Sequence, residues 1–238
     1  MQDRAQVPVF CAIDTIDLQQ AGTLARAAAA TGLGIKLGKE FFTAHGPQGV
    51  LQVLPAGVPL FLDLKFHDIP NTVAGAVRAA ARFIRPRFLT VHATGGAAML
   101  EAAAAAAAEF GAGRPRILAV TVLTSLDDAD LAATGVAPPV AAQVKRLAAL
   151  AKAHGADGAI CAAPEIAGLR ALCGPDFQLV VPGIRPAGSA AGDQKRVMTP
   201  AEALRLGADW LVIGRPITGA ADPGVAARAI AAEVKAAA

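Results

Sequence analysis

The feature that most constrains the fold of this chain is a regular alternation between short apolar runs and longer, alanine-rich segments. Eight apolar runs predict strands, at residues 7–14, 34–38, 59–66, 88–93, 116–123, 158–162, 178–184 and 210–217. Eight segments that follow them predict helices, at residues 18–31, 40–53, 72–84, 97–110, 139–154, 164–172, 200–206 and 223–234. Repeated strand–helix units are typical of a parallel sheet covered by helices.

Eight regular units in 238 residues predict a single (β/α)8 TIM barrel, an α/β fold that occupies residues 1–238 as one catalytic domain. No linker or abrupt change of composition divides the chain. A doubly wound open sheet is the alternative. In barrels of this type the active site lies at the carboxyl ends of the strands, so polar residues at those ends are the candidates for function.

Composition excludes several classes of function. The chain is 54% hydrophobic, and its charge of +3 comes from scattered basic residues, while aromatic residues make up only 4%. A nucleic-acid-binding surface is therefore not expected.

The apolar stretches are too short to span a membrane, and no secretion signal is recognised, so we expect a cytoplasmic protein. Three cysteines without a CxxC pair predict free, buried thiols.

The strongest candidate for chemistry is the segment from Asp63 to Thr72, which reads Asp-Leu-Lys-Phe-His-Asp-Ile-Pro-Asn-Thr. Side chains alternate across an extended strand, so Asp63 and Lys65 are predicted to share the face that points into the barrel. Lys36 on the adjacent strand could join them. Nearby carboxylates favour the charged form of a lysine, which suits proton donation better than nucleophilic attack. A structural salt bridge is the alternative.

Asp68 follows the same strand, where Ile69 and Pro70 turn the chain into a helix. Asn71 or Thr72 is predicted to cap that helix, because short polar side chains bond to the unpaired N–H groups of a first turn. Capping alone is therefore the alternative to a functional role for this segment. His67 is an acid or base by residue type, but it lies in the predicted loop and we assign it no catalytic role.

A phosphate site is predicted where the seventh and eighth strands end, at Arg185 and Arg215. An arginine donates two parallel hydrogen bonds to a phosphate, and Gly214 has no Cβ to hold an anion away from the main chain. The long loop at 186–199 contains Gln194 and has the composition of a mobile lid. A surface arginine at 215 and a solvated Gln194 are the alternatives. We expect a phosphorylated substrate.

These segments closely resemble the orotidine 5'-phosphate decarboxylase family and occur in the family's order. The match comprises the signature at 63–72, the first-strand Asp14, the second-strand Lys36, a base-recognition segment at 121–125, and phosphate-binding elements at 181–186, 192–194 and 213–216. The resemblance implies a homodimer of barrels that converts orotidine 5'-phosphate to UMP and CO2. This reaction is the final step of de novo pyrimidine biosynthesis, and the resemblance implies no metal and no organic cofactor.

The resemblance also assigns roles to individual residues. Lys65 would protonate C6 of the pyrimidine as CO2 leaves, beside Asp63 and Lys36 in a charged catalytic network. Asp68 and Thr72 would enter the partner subunit's active site, where Asp68 joins the catalytic group. The remaining contacts would be Asp14 and Lys36 with the ribose, Thr124 or Ser125 with the pyrimidine, and Arg185, Gln194, Gly214 and Arg215 with the phosphate.

Two other functions are consistent with parts of the sequence. Sugar-phosphate aldolase or decarboxylase relatives share the pattern Asp-x-Lys-x-x-Asp and use a metal to stabilise an enediolate. The strings Ile-Pro-Asn-Thr and Gly-Ile-Arg-Pro favour the nucleotide enzyme instead. A non-catalytic phosphate-binding barrel would not require Lys65 between two aspartates.

Overall fold

The eight apolar runs form eight strands in a computed structural model, which describes residues 7–186 and 198–237. The strands form a closed barrel in the order β1 to β8, and the pairs whose register is defined run parallel. Their bounds are β1 Val9–Ile13, β2 Gly34–Gly38, β3 Leu60–Phe66, β4 Phe88–His92, β5 Arg116–Val120, β6 Gly158–Ile160, β7 Gln178–Pro182 and β8 Trp210–Ile213. The predicted TIM barrel is confirmed, and the open-sheet alternative is wrong.

The helices follow the alanine-rich segments. They are α1 Leu18–Ala29, α2 Lys39–Val53, α3 Pro70–Phe83, α4 Ala97–Ala108, α5 Asp128–Ala133, α6 Val140–Ala153, α7 Ile166–Cys173, α8 Pro200–Arg205, α9 Arg215–Thr218 and α10 Pro223–Ala237. The short helices α5 and α9 were not predicted, and most of α9 lies within residues 210–217, which were assigned to the eighth strand. A local signal for α5 was nevertheless present, since Asp127 and Asp130 form a capping box.

Two strands end three or more residues earlier than predicted. β5 stops at Val120 rather than at residue 123, and β8 stops at Ile213 rather than at residue 217. After β8 the chain turns at Gly214 and enters α9, in which Pro216 occupies the first turn. Proline has no N–H to donate to a sheet but suits the start of a helix, and this explains the early end of β8.

The described chain divides into two compact units, which we treat separately. One comprises Met1–Leu64 and Val181–Ala238. In it, Phe10 packs edge-on against Phe61, with ring centroids 5.7 Å apart, and also contacts Trp210 at 5.1 Å. Gly34 is the register partner of Phe10, and a Cβ at Gly34 would collide with the Phe10 ring. The missing side chain therefore makes room for this aromatic cluster.

The other unit comprises Lys65–Val180. Its core includes Phe88, Leu89 and Val91 from β4, and helices α3 and α4 pack against each other. At the amino ends of the strands, Arg114 donates two hydrogen bonds to the carboxylate of Asp157, one of them 2.8 Å long. Asp157 also accepts the main-chain N–H of Ile117, so a charged pair joins β5 to the residue before β6.

Two predictions from composition are tested by this structure. All three cysteines are free thiols and are buried, as predicted. Within residues 7–186 and 198–237, every helix is too short or too polar to span a lipid bilayer.

Candidate active site

The predicted site residues that the structure describes lie within their strands or in the segments that follow them, and they divide between the two units. The unit that begins the chain contributes Asp14, Lys36, Asp63, Arg185, Gly214 and Arg215. The unit Lys65–Val180 contributes Lys65, Asp68, Thr72, Thr124 and Ser125. Asp63 and Lys65 belong to the same strand, β3, on which the two units meet in sequence.

Lys36 on β2 joins two carboxylates. Its Nζ lies 3.2 Å from Oδ1 of Asp14 and 3.8 Å from Oδ2 of Asp63. The side chains of Lys36 and Asp63 are buried, whereas that of Asp14 is 56% exposed. A buried charge is costly unless it is paired, so Lys36 and Asp63 stabilise each other inside the unit. Asp14, at the exposed end of this group, has a carboxylate within reach of a ligand.

Gly38 lies next to the charged group. It is the register partner of Asp63, and a Cβ at Gly38 would lie 3.4 Å from Nζ of Lys36 and 3.5 Å from Oδ1 of Asp14. A Cβ there would make van der Waals contact with this ion-paired group, so Gly38 lies directly against it. The sequence reasoning did not select Gly38, although a glycine inside an apolar strand often marks such a close approach.

Lys65 departs from the extended conformation of the strand. Its φ is +52°, in the left-handed region that costs a residue with a Cβ about 1–2 kcal/mol. Its main-chain N–H donates a 2.9 Å hydrogen bond to Oγ1 of Thr90, which is fully buried on β4. Strand alternation applies only to extended backbone, so the argument that placed Lys65 on the same face as Asp63 fails at this residue.

The residues after β3 are exposed, among them His67, Asp68 and Thr72. Helix α3 begins at Pro70, with Ile69 as the residue before it and no side chain capping the helix. The predicted cap at Asn71 or Thr72 is wrong, because proline starts the helix earlier and removes one N–H that a cap would satisfy. Oδ1 of Asp68 accepts the N–H of Ile69 at 2.7 Å, which orients this carboxylate.

The predicted phosphate residues have different local settings. Arg185 is buried, and its main-chain N–H donates to the Met198 carbonyl at 3.1 Å. Gly214 follows β8 directly, and Arg215 is the first residue of α9 rather than part of a strand. Gln194 and most of the predicted lid lie outside the described residues.

Thr124 and Ser125 lie in an exposed turn, several residues beyond the last residue of β5. The residue that follows the strand directly is Thr121. It is buried, and its hydroxyl donates to the Ile160 carbonyl at 3.0 Å. Because the strand stops at Val120 rather than at residue 123, Thr124 and Ser125 do not directly follow it.

Cys11 on β1 is the titratable group nearest in sequence to Asp14 whose pKa is clearly shifted. Burial and, to a smaller extent, the charge of Asp14 raise the pKa of the Cys11 thiol to about 12, against a smaller lowering by Lys36. The thiol therefore stays protonated at neutral pH, which makes Cys11 a poor nucleophile. In the part of the chain that the structure describes, no group of three or more His, Cys, Asp or Glu is placed to hold a metal ion.

Comparison with known proteins identifies the family. The family model described as "Orotidine 5'-phosphate decarboxylase / HUMPS family" matches residues 8–230. The chain belongs to this family. Relatives that are named orotidine 5'-phosphate decarboxylase and are 50–56% identical to it confirm the predicted enzyme class.

Individual members of the decarboxylase family agree over nearly their full length. Proteins named orotidine 5'-phosphate decarboxylase are 56% identical in Rhodospirillum rubrum and 52% identical in Moorella thermoacetica. The alignments cover 98% and 97% of this chain, and 96% and 93% of those proteins. A crystal structure of orotidine 5'-phosphate decarboxylase from Lactobacillus acidophilus matches with a TM-score of 0.84 at 38% identity, covering 95% of this chain and 98% of that one.

Proposed function

We propose that this protein decarboxylates orotidine 5'-phosphate to UMP and CO2, the last step of de novo pyrimidine biosynthesis, without a metal or organic cofactor. The observation that carries the proposal is the buried pair of Lys36 and Asp63, with Lys65 two residues further along the same strand. The names of relatives with 50–56% identity support the choice of substrate. We expect the reaction to take place in the cytoplasm.

Lys65 is the proposed proton donor. When the bond between C6 and the carboxylate breaks, CO2 leaves and the bonding electron pair remains on C6 as a localised carbanion. An ammonium group held beside C6 stabilises that charge and then transfers its proton, which produces UMP and a neutral lysine. A proton from solvent restores the ammonium before the next turnover.

Asp63 and Lys36 complete the proposed charged network. Asp63 would lie next to the departing carboxylate, and its own position is held by the buried ammonium of Lys36. Lys36 also bonds to Asp14, whose exposed carboxylate is suited to accept hydrogen bonds from the ribose hydroxyls. A network in which each buried charge has a partner keeps its geometry when substrate binds, and such preorganisation is a main source of catalysis.

The phosphate contacts are proposed for Arg185, Gln194, Gly214 and Arg215, and the pyrimidine contact for Thr124 or Ser125. The phosphate is not altered in the reaction. Binding energy from this remote group can be used to hold the pyrimidine against the charged network, which raises the rate rather than only the affinity.

A homodimer is part of the proposal, with Asp68 and Thr72 entering the partner's site. A stripe along α3 supports it, since residues spaced by three and four share one helix face. On this face Ile69 is 66% exposed and Phe83 is 64% exposed, with Thr72, Ala76 and Ala79 between them. Large apolar side chains in such a row favour burial against a second protein surface.

The direct test is to incubate the purified protein with orotidine 5'-phosphate and excess chelator and to follow the loss of orotate absorbance. We expect turnover to continue in chelator. No turnover with or without added divalent metal would refute the proposed reaction. Turnover that chelator abolishes and metal restores would contradict the cofactor-free mechanism and favour the chemistry of the metal-using relatives.

A further inference from the structure

We infer that Thr90 is a positioning residue for Lys65, an inference that rests on the proposed role of Lys65 as the proton donor. Thr90 lies on β4, 25 residues beyond Lys65, and its Oγ1 accepts the Lys65 main-chain N–H at 2.9 Å. The site assignments drawn from sequence do not include this residue. It acts on the reaction through the lysine, without touching substrate.

The backbone of Lys65 requires external support. A φ of +52° is unfavourable for a residue with a Cβ and persists only where the surroundings hold it. The hydrogen bond to Thr90 gives the Lys65 N–H a partner in this conformation. Without the hydroxyl, that N–H would lack this acceptor, and the chain at Lys65 could relax toward the extended region. Rotation about φ moves the whole side chain, so the ammonium at its end would be displaced.

Thr90 is well suited to hold this acceptor in one place. It is fully buried, and its neighbours Leu89 and Val91 are buried as well. Its height along the barrel is set by the β4–β5 register, in which it is paired with Leu118. Threonine is branched at Cβ, so its χ1 angle is restricted on a strand. The hydroxyl therefore has little freedom to follow Lys65 if the backbone moves.

The test compares Thr90→Val, which keeps the shape and removes the acceptor, with Thr90→Ser, which keeps the hydroxyl. We expect Thr90→Val to lower kcat by about 10- to 100-fold, as for a catalytic group displaced by about 1 Å. The affinity for UMP should stay within about threefold, because the proposed phosphate and ribose contacts do not involve Lys65. Thr90→Ser should recover most of kcat.

A matched control is Thr31→Val, which makes the same chemical change at a hydroxyl that also bonds to the main chain. Oγ1 of Thr31 donates to the Ala28 carbonyl at 2.7 Å, at the end of α1. This change should lower the melting temperature and leave kcat unaltered. A loss of kcat in Thr90→Val but not in Thr31→Val would show that the effect comes from the hydrogen bond to Lys65, and not from losing any hydroxyl that bonds to the main chain.

Three results would overturn the inference: a folded Thr90→Val protein with wild-type kcat, a Thr90→Ser protein as slow as Thr90→Val, or equal losses of kcat and UMP affinity. If the valine variant does not fold, Thr90→Ala replaces it. Failure of both to fold would show that the hydroxyl is needed for folding itself, which also overturns a role in positioning.

The inference can fail separately from the proposed function. If the wild-type protein does not decarboxylate orotidine 5'-phosphate, the proposed function is refuted, and amide hydrogen exchange then tests the contact. The Lys65 amide should exchange faster in Thr90→Val than in the wild type and in Thr90→Ser. Equal exchange rates in all three would show that Thr90 does not hold Lys65.

Discussion

At the scale of single residues, the most informative position is Lys65. Its left-handed backbone departs from the strand in which it lies, and strain of this kind persists where neighbouring groups hold it and is often found at functional sites. The pair of Lys36 and Asp63 is constrained differently, since its two opposite charges are buried together. Lys65 is therefore held through its backbone, whereas Lys36 and Asp63 are held by the attraction between their charges.

Replacement of this lysine tests its role. Lys65→Ala should lower kcat by at least roughly 10²- to 10⁴-fold, the usual contribution of a positioned proton donor. The affinity for UMP, measured by calorimetry, should fall much less because the proposed phosphate contacts remain. Lys235→Ala, at an exposed position on α10, is a control for loss of a positive charge and should retain full activity. Equal losses of turnover and UMP affinity in Lys65→Ala would mean that the lysine is structural.

At the scale of elements, two arginine–carboxylate pairs join adjacent elements of the unit Lys65–Val180 but differ in burial. Arg114 and Asp157 link β5 to the residue before β6, and their side chains are 35% and 16% exposed. Arg78 and Glu109 link α3 to the end of α4, and both side chains are nearly half exposed. Water screens an exposed pair, whereas a buried carboxylate that loses its charge leaves its partner uncompensated.

We therefore expect Asp157→Asn to lower the free energy of unfolding by about 2 kcal/mol, less than for a fully buried pair because Arg114 is partly exposed. Glu109→Gln removes the same charge from the exposed pair and should have a clearly smaller effect. Urea titrations of both variants measure the difference. Similar losses of stability would contradict the assignment of the difference to burial.

At the scale of the whole molecule, the proposed dimer makes each site depend on two chains. Asp68 and Thr72 are exposed, Thr72 within the stripe along α3 and Asp68 just before it, as expected of residues that enter a neighbouring subunit. In a two-fold symmetric dimer the same surface serves both subunits, so one variant chain can complement another.

Mixtures of two inactive variants test this arrangement. Lys65→Ala and Asp68→Ala homodimers should each be inactive, whereas a heterodimer places both defects in one site and leaves the other intact. After complete exchange of equal amounts, activity should recover to on the order of a quarter of the wild-type value, since half of the dimers are mixed. Native mass spectrometry would establish the exchange. No recovery in mixed dimers would refute the shared site.

Local patterns in the sequence predicted much of the fold. Continuous apolar runs and alanine-rich segments determined the number and order of the strands and their long helices, because burial on a strand or helix face repeats with a short period. The same patterns placed Lys36 and Asp63 inside strands, where their charges need partners. Whether the chain functions as one domain stays a prediction.

Other features depend on contacts between residues far apart in sequence. Lys65 has a positive φ and bonds to a hydroxyl 25 residues away, and no local pattern around Lys65 indicates either fact. Similarly, Gly38 lies against Lys36 and Asp14 only once the strands are in register. Residue type and periodicity therefore determined which charged groups this protein has and on which strands they lie. The tertiary structure decided how they are held, because strand register sets the distances between them.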